Sequence, residues 1–523
     1  MIFTEQENPM SKIYKICALL ICASVMAPVA ACTALPEDTT VSESAATVTT
    51  SESEETVMTT ETFPSYETSE ETSADVDTSY VRTLNDVTSD MMRSGYWIAN
   101  GTACGFDMDE VLMTRDQIKA FNDDNHTSFE REDGSLMFRF DEVGETFPGE
   151  DLRYLLDGSR SQIPDDPSSY YLNGQPTSAS YWSELRSLDN YDAVPDTIQV
   201  RYGFTVKRAT LRLFPTEDRV FESASDQYFD YLLFSECMPY MPCLILHEST
   251  DGNYYYAVFD SFAAWVRKDV IALCSDRDDW TSRRNPSEVL TVTAREIRLG
   301  CDPYSSATSN LVLPMGTHME LVPASSAPAS LGQRTTFGDY VVKVPTRGSD
   351  GYVADEYVLI PVSDDVVVGY MPYTSGNILR QTFKLLGDRY GWGGDLMAND
   401  CSGIIREVYG CFGFVIPRTR QTSVNGANVV DISEMNESGR IEQLKQTMPG
   451  SYVSLPGHMM IYIGTVNDRP YVISAVGSLI QPEPGSTERL HPNSVVLSSL
   501  YVRLKSLNTW LESLKRVVTI KPE

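Results

Sequence analysis

Between residues 196 and 370, hydrophobic and polar residues alternate in short runs, and this alternation predicts β-strands. The runs at 209–214 and 254–259 are examples, and Gly, Pro and Asp-Gly pairs separate them from their neighbours. Closely spaced strands with turn residues between them are typical of small all-β barrels. We therefore expect one barrel at 196–280 and a second at 288–370.

The residues on either side of these barrels have mixed patterns that include helices. A helix is expected near 114–122, before the first barrel. After the second barrel, a helical pattern at 378–386 is followed by a Gly-rich turn, a helix from Cys401 to about Tyr409, and strands. The chain as a whole is therefore expected to have an α+β fold.

The N-terminus predicts export rather than a folded element. Lys12 and Lys15 precede an apolar run, 16–31, which is too short to span a membrane and is typical of a signal-peptide core. The run ends in Val-Ala-Ala-Cys32, which resembles a bacterial lipobox. We therefore expect 1–32 to be a signal peptide and Cys32 to carry the lipid, whose several acyl chains would hold the protein to the membrane. An ordinary cleaved secretory signal is the alternative.

Acidic residues exceed basic ones along the chain, and they exclude one class of partner. The 523 residues include 73 Asp and Glu against 41 Lys and Arg, a formal net charge of −32. Nucleic acid is excluded because phosphate contacts need clustered basic residues, and no basic patch is present. Residues 33–80 are acidic and rich in Ser and Thr, with too few large apolar side chains to fold, so we expect a disordered linker.

The cysteines of the remaining chain do not form a compact disulfide framework. Those other than Cys401 are spread over roughly 300 residues; they are Cys104, Cys237, Cys243, Cys274, Cys301 and Cys411. The sequence leaves a disulfide between Cys237 and Cys243 open. No common zinc-ligand spacing is present, so we expect neither a metal nor a cofactor.

Cys401 has the surroundings of a reactive thiol. Asp400 is a favourable helix cap, and the residues after Cys401 give the next turns an apolar face. Cys401 therefore lies in the first turn of a helix, where unpaired backbone N–H groups and the helix dipole favour the thiolate. A small core residue at a helix start is the alternative interpretation.

His458 provides the base that such a thiol needs. It opens a predicted strand directly after Pro-Gly, and the chain turns near 467–468 and returns through Ser474. If the hairpin centres near residue 466, Ser474 lies opposite His458 on the same face. We then expect its hydroxyl to accept the imidazole Nδ1–H and to direct Nε2 toward the thiolate.

Five short motifs follow one another in the last third of the chain. They are Tyr390-Gly-Trp392-Gly-Gly, Asp400-Cys401-Ser402-Gly403, Phe412-Gly, Ile416-Pro-Arg418, and Gly457-His458 followed by Ile461-Tyr-Ile-Gly464. In this order they resemble the NlpC/P60 family, papain-like cysteine peptidases of the cell wall. The upstream residues are similar to the multidomain branch of that family. The resemblance implies an N-terminal wrapping segment at 81–195, SH3-like barrels at 196–280 and 288–370, and a peptidase domain at 374–515.

The resemblance also implies a reaction. Members of this architecture hydrolyse the bond between γ-D-glutamate and a diamino acid in peptidoglycan stem peptides. By position, Cys401 would be the nucleophile and His458 the general base. Tyr390, with the backbone N–H of Cys401, would stabilise the oxyanion. Ser474 occupies the third catalytic position, usually a histidine, and we expect this shorter group to reduce activity without abolishing it.

Four further residues are expected to bind the substrate. Asp400 and Ser402 match positions that hold the substrate amine and the D-Glu carboxylate, and Trp392 would line the pocket. Relatives commonly have a serine two residues after Pro-Arg, where this chain has Arg420. We hypothesise that Arg420 pairs with the D-Glu carboxylate through its guanidinium. A surface cation is the alternative.

The sequence thus predicts a lipid-anchored, extracytoplasmic cysteine peptidase that acts on stem peptides as a monomer and without a cofactor. Two other functions fit the same residues. One is a wall-binding lipoprotein whose peptidase domain has lost its activity. The other is an acyltransferase that uses the same thiol and imidazole.

Overall fold

A computed structural model of the chain describes residues 80–125, 128–418, 424–483 and 485–522. The predicted signal peptide, the lipidation site Cys32 and nearly all of the predicted linker lie outside the described residues. The α-helices of the described chain are short; they are α1 (Ser94–Ala103), α2 (Arg115–Asp124), α3 (Gly149–Arg160), α4 (Ala179–Leu188), α5 (Arg277–Arg284), α6 (Ser375–Lys384), α7 (Cys401–Gly410), α8 (Glu437–Lys445) and α9 (Trp510–Ser513).

The first large sheet has seven antiparallel strands and lies in the part of the chain predicted to be a barrel. The strands are β1 (Arg201–Thr205), β2 (Ala209–Arg212), β3 (Leu233–Cys237), β4 (Pro242–Glu248), β5 (Tyr254–Val258), β6 (Ala263–Arg267) and β7 (Ile271–Leu273). Their order is β3-β2-β6-β5-β4-β1-β7. Both faces are covered: Trp265 packs into one apolar cluster and Val266 into another. We call this unit the first barrel.

The second large sheet has five antiparallel strands, β8 (Val289–Val292), β9 (His318–Leu321), β10 (Asp339–Arg347), β11 (Val353–Pro361) and β12 (Val366–Val368). Their order is β11-β10-β9-β8-β12, around a core of its own that contains Leu290 and Val342. The turn before β9 rests on helix α7 through Gly316. This glycine has a positive φ of 79°, and a Cβ there would lie 2.7 Å from the backbone oxygen of Glu407.

The third sheet is the framework of the last domain. Its strands are β13 (Asn428–Asp431), β14 (Tyr452–Leu455), β15 (His458–Val466), β16 (Arg469–Val476), β17 (Ser494–Ser499) and β18 (Arg516–Thr519), in the order β13-β18-β14-β15-β16-β17. Alternate residues of β15 enter different cores. Ile461 and Ile463 pack in the cluster that contains Ile404 of α7, whereas Met460 packs with Trp510. Burial on both faces explains why this strand is continuously hydrophobic.

The remaining regular elements are short strands and 3-10 helices in the connections. The strands are Ser128–Glu130, Leu136–Arg139, Thr146–Pro148, Tyr171–Leu172, Gln175–Pro176, Thr197–Gln199, Val220–Phe221, Glu296–Arg298, Val312–Pro314, Ser330–Leu331, Arg334–Thr335, Leu479–Ile480 and Arg489–Leu490. The 3-10 helices are Asp90–Met92, Phe140–Glu142, Pro167–Ser169, Tyr191–Ala193, Lys268–Val270 and Trp392–Met397.

The residues before the first barrel contact two different parts of the fold. Trp97 of α1 is fully buried in the core of the last domain, and Asp86 pairs with Arg469 of β16 at 2.7 Å. Farther along, Phe147 and Leu152 pack into a core of the first barrel. The segment therefore bridges the barrel and the last domain, while its predicted limits remain predictions.

The predicted helices are present, with small changes at their ends. The helix expected at 114–122 is α2, and Thr114 caps it in a reciprocal capping box with Gln117. The helix expected at 378–386 is α6, which begins three residues earlier because Thr374 supplies the cap. Every helix in the described part of the chain is too short or too polar to cross a bilayer.

Replacing Gly316 with alanine is expected to destabilise the fold by about 1 to 3 kcal/mol, because both the left-handed backbone and the contact with α7 oppose a Cβ. Thermal or urea unfolding measures this effect. Gly338→Ala is the matched control: its φ is 78°, but a Cβ there has open space around it. Equal losses in the two variants would contradict a specific contact between Gly316 and α7.

Candidate active site

Cys401 is the first residue of α7, as the sequence predicted, and Asp400 caps the helix. One oxygen of the Asp400 carboxylate, Oδ1, accepts hydrogen bonds from the backbone N–H of Ser402 at 3.0 Å and of Gly403 at 2.7 Å. It also accepts one from the Ser402 hydroxyl at 2.8 Å. Asp400 thus fixes the first turn and, with it, the position of the Cys401 backbone at the positive end of the helix dipole.

Arg418 holds the other side of this cap. Its guanidinium forms an ion pair with Oδ2 of Asp400 and donates to the Ser402 hydroxyl, with Nε at 3.0 Å and Nη2 at 2.9 Å. Burial alone would lower the pKa of Arg418, but the charges of Asp400, Glu236 and Cys401 outweigh it and raise that pKa. Arg418 is therefore a fixed positive charge that interacts with the thiolate form of Cys401.

The first barrel holds the segment that leads to Cys401. Arg208 donates to the backbone oxygens of Met397 at 3.1 Å and Ala398 at 2.9 Å, and to Oδ1 of Asn399 at 3.2 Å. Arg219, also from the barrel, pairs with Asp395. The barrel therefore supplies two guanidinium groups to the loop immediately before the helix cap.

That loop has an unusual backbone. Gly393 and Gly394 have positive φ values of 60° and 96°, and so do Leu396 and Met397 at 58° and 57°. A Cβ at Gly394 would overlap the side chain of Glu236 in the first barrel. Non-glycine residues in this conformation each cost about 1 to 3 kcal/mol unless their surroundings hold them. The hydrogen bonds from Arg208 provide such surroundings.

Three aromatic rings lie next to this loop. Phe229 of the first barrel is 6.0 Å from both the Tyr390 ring and the Trp392 ring, measured between centroids. Phe229 also lies close to Gly477: a Cβ added to this glycine would be 3.1 Å from the Phe229 ring. Tyr390 is buried, whereas Trp392 is partly buried. Both sequence-predicted aromatic residues therefore lie at the junction between the barrel and the last domain.

His458 opens β15, the strand that contacts α7. Its imidazole lies 5.1 Å from the Trp510 ring, between centroids. Burial lowers the pKa of His458 to about 4, and the nearby Asp400 carboxylate opposes that change. The imidazole therefore lies within electrostatic reach of the residue that precedes Cys401, and it is neutral at pH 7.

The expected arrangement of Ser474 was wrong in two details. The register pairs Ile461 with Ile473, with an irregularity at residue 463; continued, it would bring His458 opposite Val476. Ser474 is therefore diagonal to His458, because the irregular residue and the turn at 467–468 shift the centre of the hairpin. Its hydroxyl lies 3.2 Å from Nε2, and the expected contact was with Nδ1. The contact itself is present.

Buried charges behind the loop were not anticipated from the sequence. Glu236 of β3 lies 2.6 Å from Arg208 and 2.6 Å from Arg406, so these guanidinium groups and Arg418 hold its pKa low although burial opposes this. Glu407 accepts a hydrogen bond from Asn399 at 2.7 Å, and burial raises its pKa to about 7.

The structure thus brings Asp400, Ser402 and Cys401 together with Arg418. It places Ser474 against His458, and Tyr390 beside Trp392. Arg420 lies outside the described residues, so its expected role stays a prediction. The substrate-binding roles of Asp400 and Ser402 also stay predictions; in the structure, both side chains bind Arg418. The Pro-Arg motif contained Arg418, but only its contacts identify what it does.

Two family models match the chain in the parts just described. Residues 387–491 match the NlpC/P60 family, and residues 219–267 match the SH3 domain of the SH3b1 type. The chain carries an NlpC/P60 domain. Domains of this family are generally cysteine peptidases and typically act on the cell wall. The SH3 match lies within the first barrel, while an SH3-like identity for the second sheet remains a prediction.

One solved structure shares the overall fold of this chain. The chain is similar to an NlpC/P60 endopeptidase from Photobacterium damselae subsp. piscicida, with a TM-score of 0.63 and 17% identity over 81% of this chain and 98% of that one. An NlpC/P60 family protein from Bacillus cereus is 13% identical, with a TM-score of 0.42, over 61% of this chain and 100% of that one. No curated protein sequence matches the chain.

The low pKa of His458 has a measurable consequence. Because the folded pKa of about 4 is below the ordinary value of 6.5, the unfolded chain binds more protons between these pH values. The stability contributed by neutral His458 is therefore complete above pH 6.5 and is lost as the pH falls toward 4. Hydrogen exchange at the imidazole C2 position, followed by mass spectrometry, should give a midpoint near pH 4. A midpoint at 6.5 or above would contradict a neutral imidazole that is largely shielded from water.

Proposed function

We propose that the protein is a cysteine endopeptidase that hydrolyses the γ-D-glutamyl–diamino acid bond of peptidoglycan stem peptides. The observation that supports this most is the arrangement around Asp400. This residue caps the helix that Cys401 opens, and its negative charge interacts electrostatically with the His458 imidazole across the contact between α7 and β15. A thiol at a helix start and a neutral imidazole on the strand that packs against this helix are the two groups that nucleophilic catalysis needs.

In the proposed reaction, His458 removes the Cys401 proton and the thiolate attacks the γ-carbonyl carbon of D-glutamate. Nε2 contacts Ser474, so Nδ1 is the nitrogen for this transfer; Nε2 then carries a hydrogen and donates it to the Ser474 hydroxyl. The Cys401 backbone N–H and Tyr390 stabilise the oxyanion. The protonated imidazole gives its proton to the leaving amine. Water, activated by His458, hydrolyses the thioester and regenerates the thiol.

The first barrel supports a preference for freed peptides over intact wall strands. Phe229 places an aromatic ring against Tyr390 and Trp392, and Arg208 holds the adjoining loop. We propose that this wall closes one end of the cleft, so that a short peptide with a free N-terminal L-Ala fits best. The lipid on Cys32 would keep the enzyme outside the cytoplasm at the membrane, and the acidic linker would let it reach the wall.

The reaction is tested with L-Ala-γ-D-Glu-diaminopimelate and its lysine counterpart, with products identified by mass. We expect release of the diamino acid and of L-Ala-D-Glu by the full chain, and no product from Cys401→Ala. Cys411→Ala is the matched control, because this thiol is fully buried at the far end of α7 and should leave turnover intact. Binding without turnover would instead indicate an inactive wall-binding protein. Ligation to an added amine would indicate an acyltransferase.

The proposed role of Arg420 has its own test. If its guanidinium pairs with the D-Glu carboxylate, Arg420→Ala should raise the KM for the L-Ala-γ-D-Glu peptide about 10-fold or more, since a charged hydrogen-bonded pair is lost. Arg334→Ala is the control, because Arg334 is an exposed residue of the short strand Arg334–Thr335 that pairs with Asp339. An unchanged KM in Arg420→Ala would leave Arg420 as a surface cation.

A further inference from the structure

Glu236 is the negative charge at the centre of the contact between the first barrel and the NlpC/P60 domain. Its side chain is 1% exposed, and its two oxygens face three guanidinium groups. Oε2 lies 2.6 Å from Nε of Arg208, and Oε1 lies 2.6 Å from Nη2 of Arg406 and 3.9 Å from Nη1 of Arg418. The barrel thus supplies the carboxylate, and two of the three arginines around it, Arg406 and Arg418, belong to the NlpC/P60 domain.

Arg418 connects this carboxylate to the nucleophile. On one side, Nη1 of Arg418 lies 3.0 Å from the Ser235 hydroxyl and near Glu236. On the other side, the guanidinium binds Asp400 and Ser402. Arg418 also interacts electrostatically with Cys401. A change of charge at Glu236 therefore acts on Cys401 through a buried guanidinium, where water screens it little.

We propose that Glu236 is a positioning residue of the first barrel that fixes Arg418 and limits how strongly the arginine cluster stabilises the Cys401 thiolate. The proposal rests on Cys401 being the nucleophile and so deepens the function proposed above. It assigns the barrel a second role besides closing the cleft: the barrel adjusts the electrostatic potential at the helix start.

Charged and titratable groups from every neighbouring element contribute to that potential. Positive and negative groups are close to balanced; they are Arg208, Arg219 and Glu236 of the barrel, Asp395 of the loop, Asp400, Arg406 and Glu407 around α7, Arg418 of the following segment, and His458 of β15. Removing the charge of Glu236 leaves a net positive cluster. The thiolate is then favoured, and the thiol loses its proton at a lower pH.

This balance matters for the reaction because a thiolate of lower basicity is also a weaker nucleophile. An arginine cluster without Glu236 would increase the fraction of thiolate and reduce the reactivity of each thiolate. By supplying one carboxylate, the barrel keeps the pH at which the Cys401 thiol loses its proton closer to the pH at which the enzyme works. The effect depends on docking, since Glu236 belongs to a different domain from Cys401.

The test measures the rate of Cys401 alkylation by iodoacetamide against pH in the full chain. A tryptic peptide, Tyr390–Arg406, contains Cys401 as its one cysteine, so mass spectrometry follows this thiol separately. The exposed thiols of Cys104 and Cys301 are internal references. In Glu236→Gln, the alkylation midpoint of Cys401 should fall by about 0.5 to 1 pH unit, because one buried charge is removed several ångströms away.

Two other variants test whether the direction of this change in the alkylation midpoint depends on charge near Cys401. Arg418→Gln removes a positive charge beside the thiolate, so its midpoint should rise. Asp189→Asn is the matched control, because Asp189 is a comparably buried carboxylate that pairs with Arg160 at 2.6 Å, and neither residue belongs to the cluster around Glu236. Its midpoint should not move. A Glu236→Gln midpoint that is unchanged or higher would overturn the proposal, since a merely loosened helix cap would weaken thiolate stabilisation.

If Glu236→Gln does not fold, as judged by circular dichroism, Arg406→Gln replaces it. Arg406 is partly exposed and bonds Oε1 of Glu236. Without the cleavage site at 406, the tryptic peptide is Tyr390–Arg418 and also contains the fully buried Cys411, so fragment ions assign the alkylation to Cys401. Removing Arg406 leaves Glu236 to neutralise Arg418 more completely, so the Cys401 midpoint should rise; no change would refute the proposal. Alkylation needs no substrate. If the midpoint shifts but no peptide is hydrolysed, the proposed function is contradicted and this inference is not. If the peptide is hydrolysed but the midpoints do not shift, this inference is contradicted and the proposed function is not.

Discussion

The ion pair between Asp400 and Arg418 is the interaction on which the arrangement of this molecule depends. Asp400 caps the helix that presents Cys401, and Arg418 extends from that cap to Ser235 and Glu236 of the first barrel. One guanidinium thus links the helix that begins at Cys401 to a domain that precedes it by about 180 residues in sequence. Because the group is almost fully buried, each of its partners has to be present for the interaction to be favourable.

This dependence makes the barrel part of the candidate active site rather than an appended binding module. The loop before Cys401 has two non-glycine residues, Leu396 and Met397, in the left-handed conformation. Arg208 binds backbone oxygens in that loop, and Arg219 pairs with Asp395. Strained backbone of this kind persists where surrounding contacts fix it. The contacts come from the barrel, so an undocked barrel would release the loop and the cap together.

Local chemistry allowed much of the fold to be predicted. The capping residue before α7, the alternating runs of the first barrel and the turn at 467–468 each depend on neighbours within a few residues. The arrangement at Ser474 was less accessible, because an irregularity at Ile463 shifts the strand register and brings Nε2 of His458 to the hydroxyl. A sequence pattern of period two does not reveal a single extra residue in a strand.

The sequence by itself determined the identities of the chemical groups: a thiol after a capping carboxylate, an imidazole at the start of a strand, and the motif order of an NlpC/P60 domain. These are short-range patterns, and short-range sterics and hydrogen bonding produce them. Only the tertiary structure decided which charges surround the thiol. Glu236 lies in an ordinary strand of the barrel and Arg208 directly before another, and their role arises because docking buries them against Arg406 and Arg418. Burial turns distant surface charges into close partners, and no spacing along the chain encodes that contact.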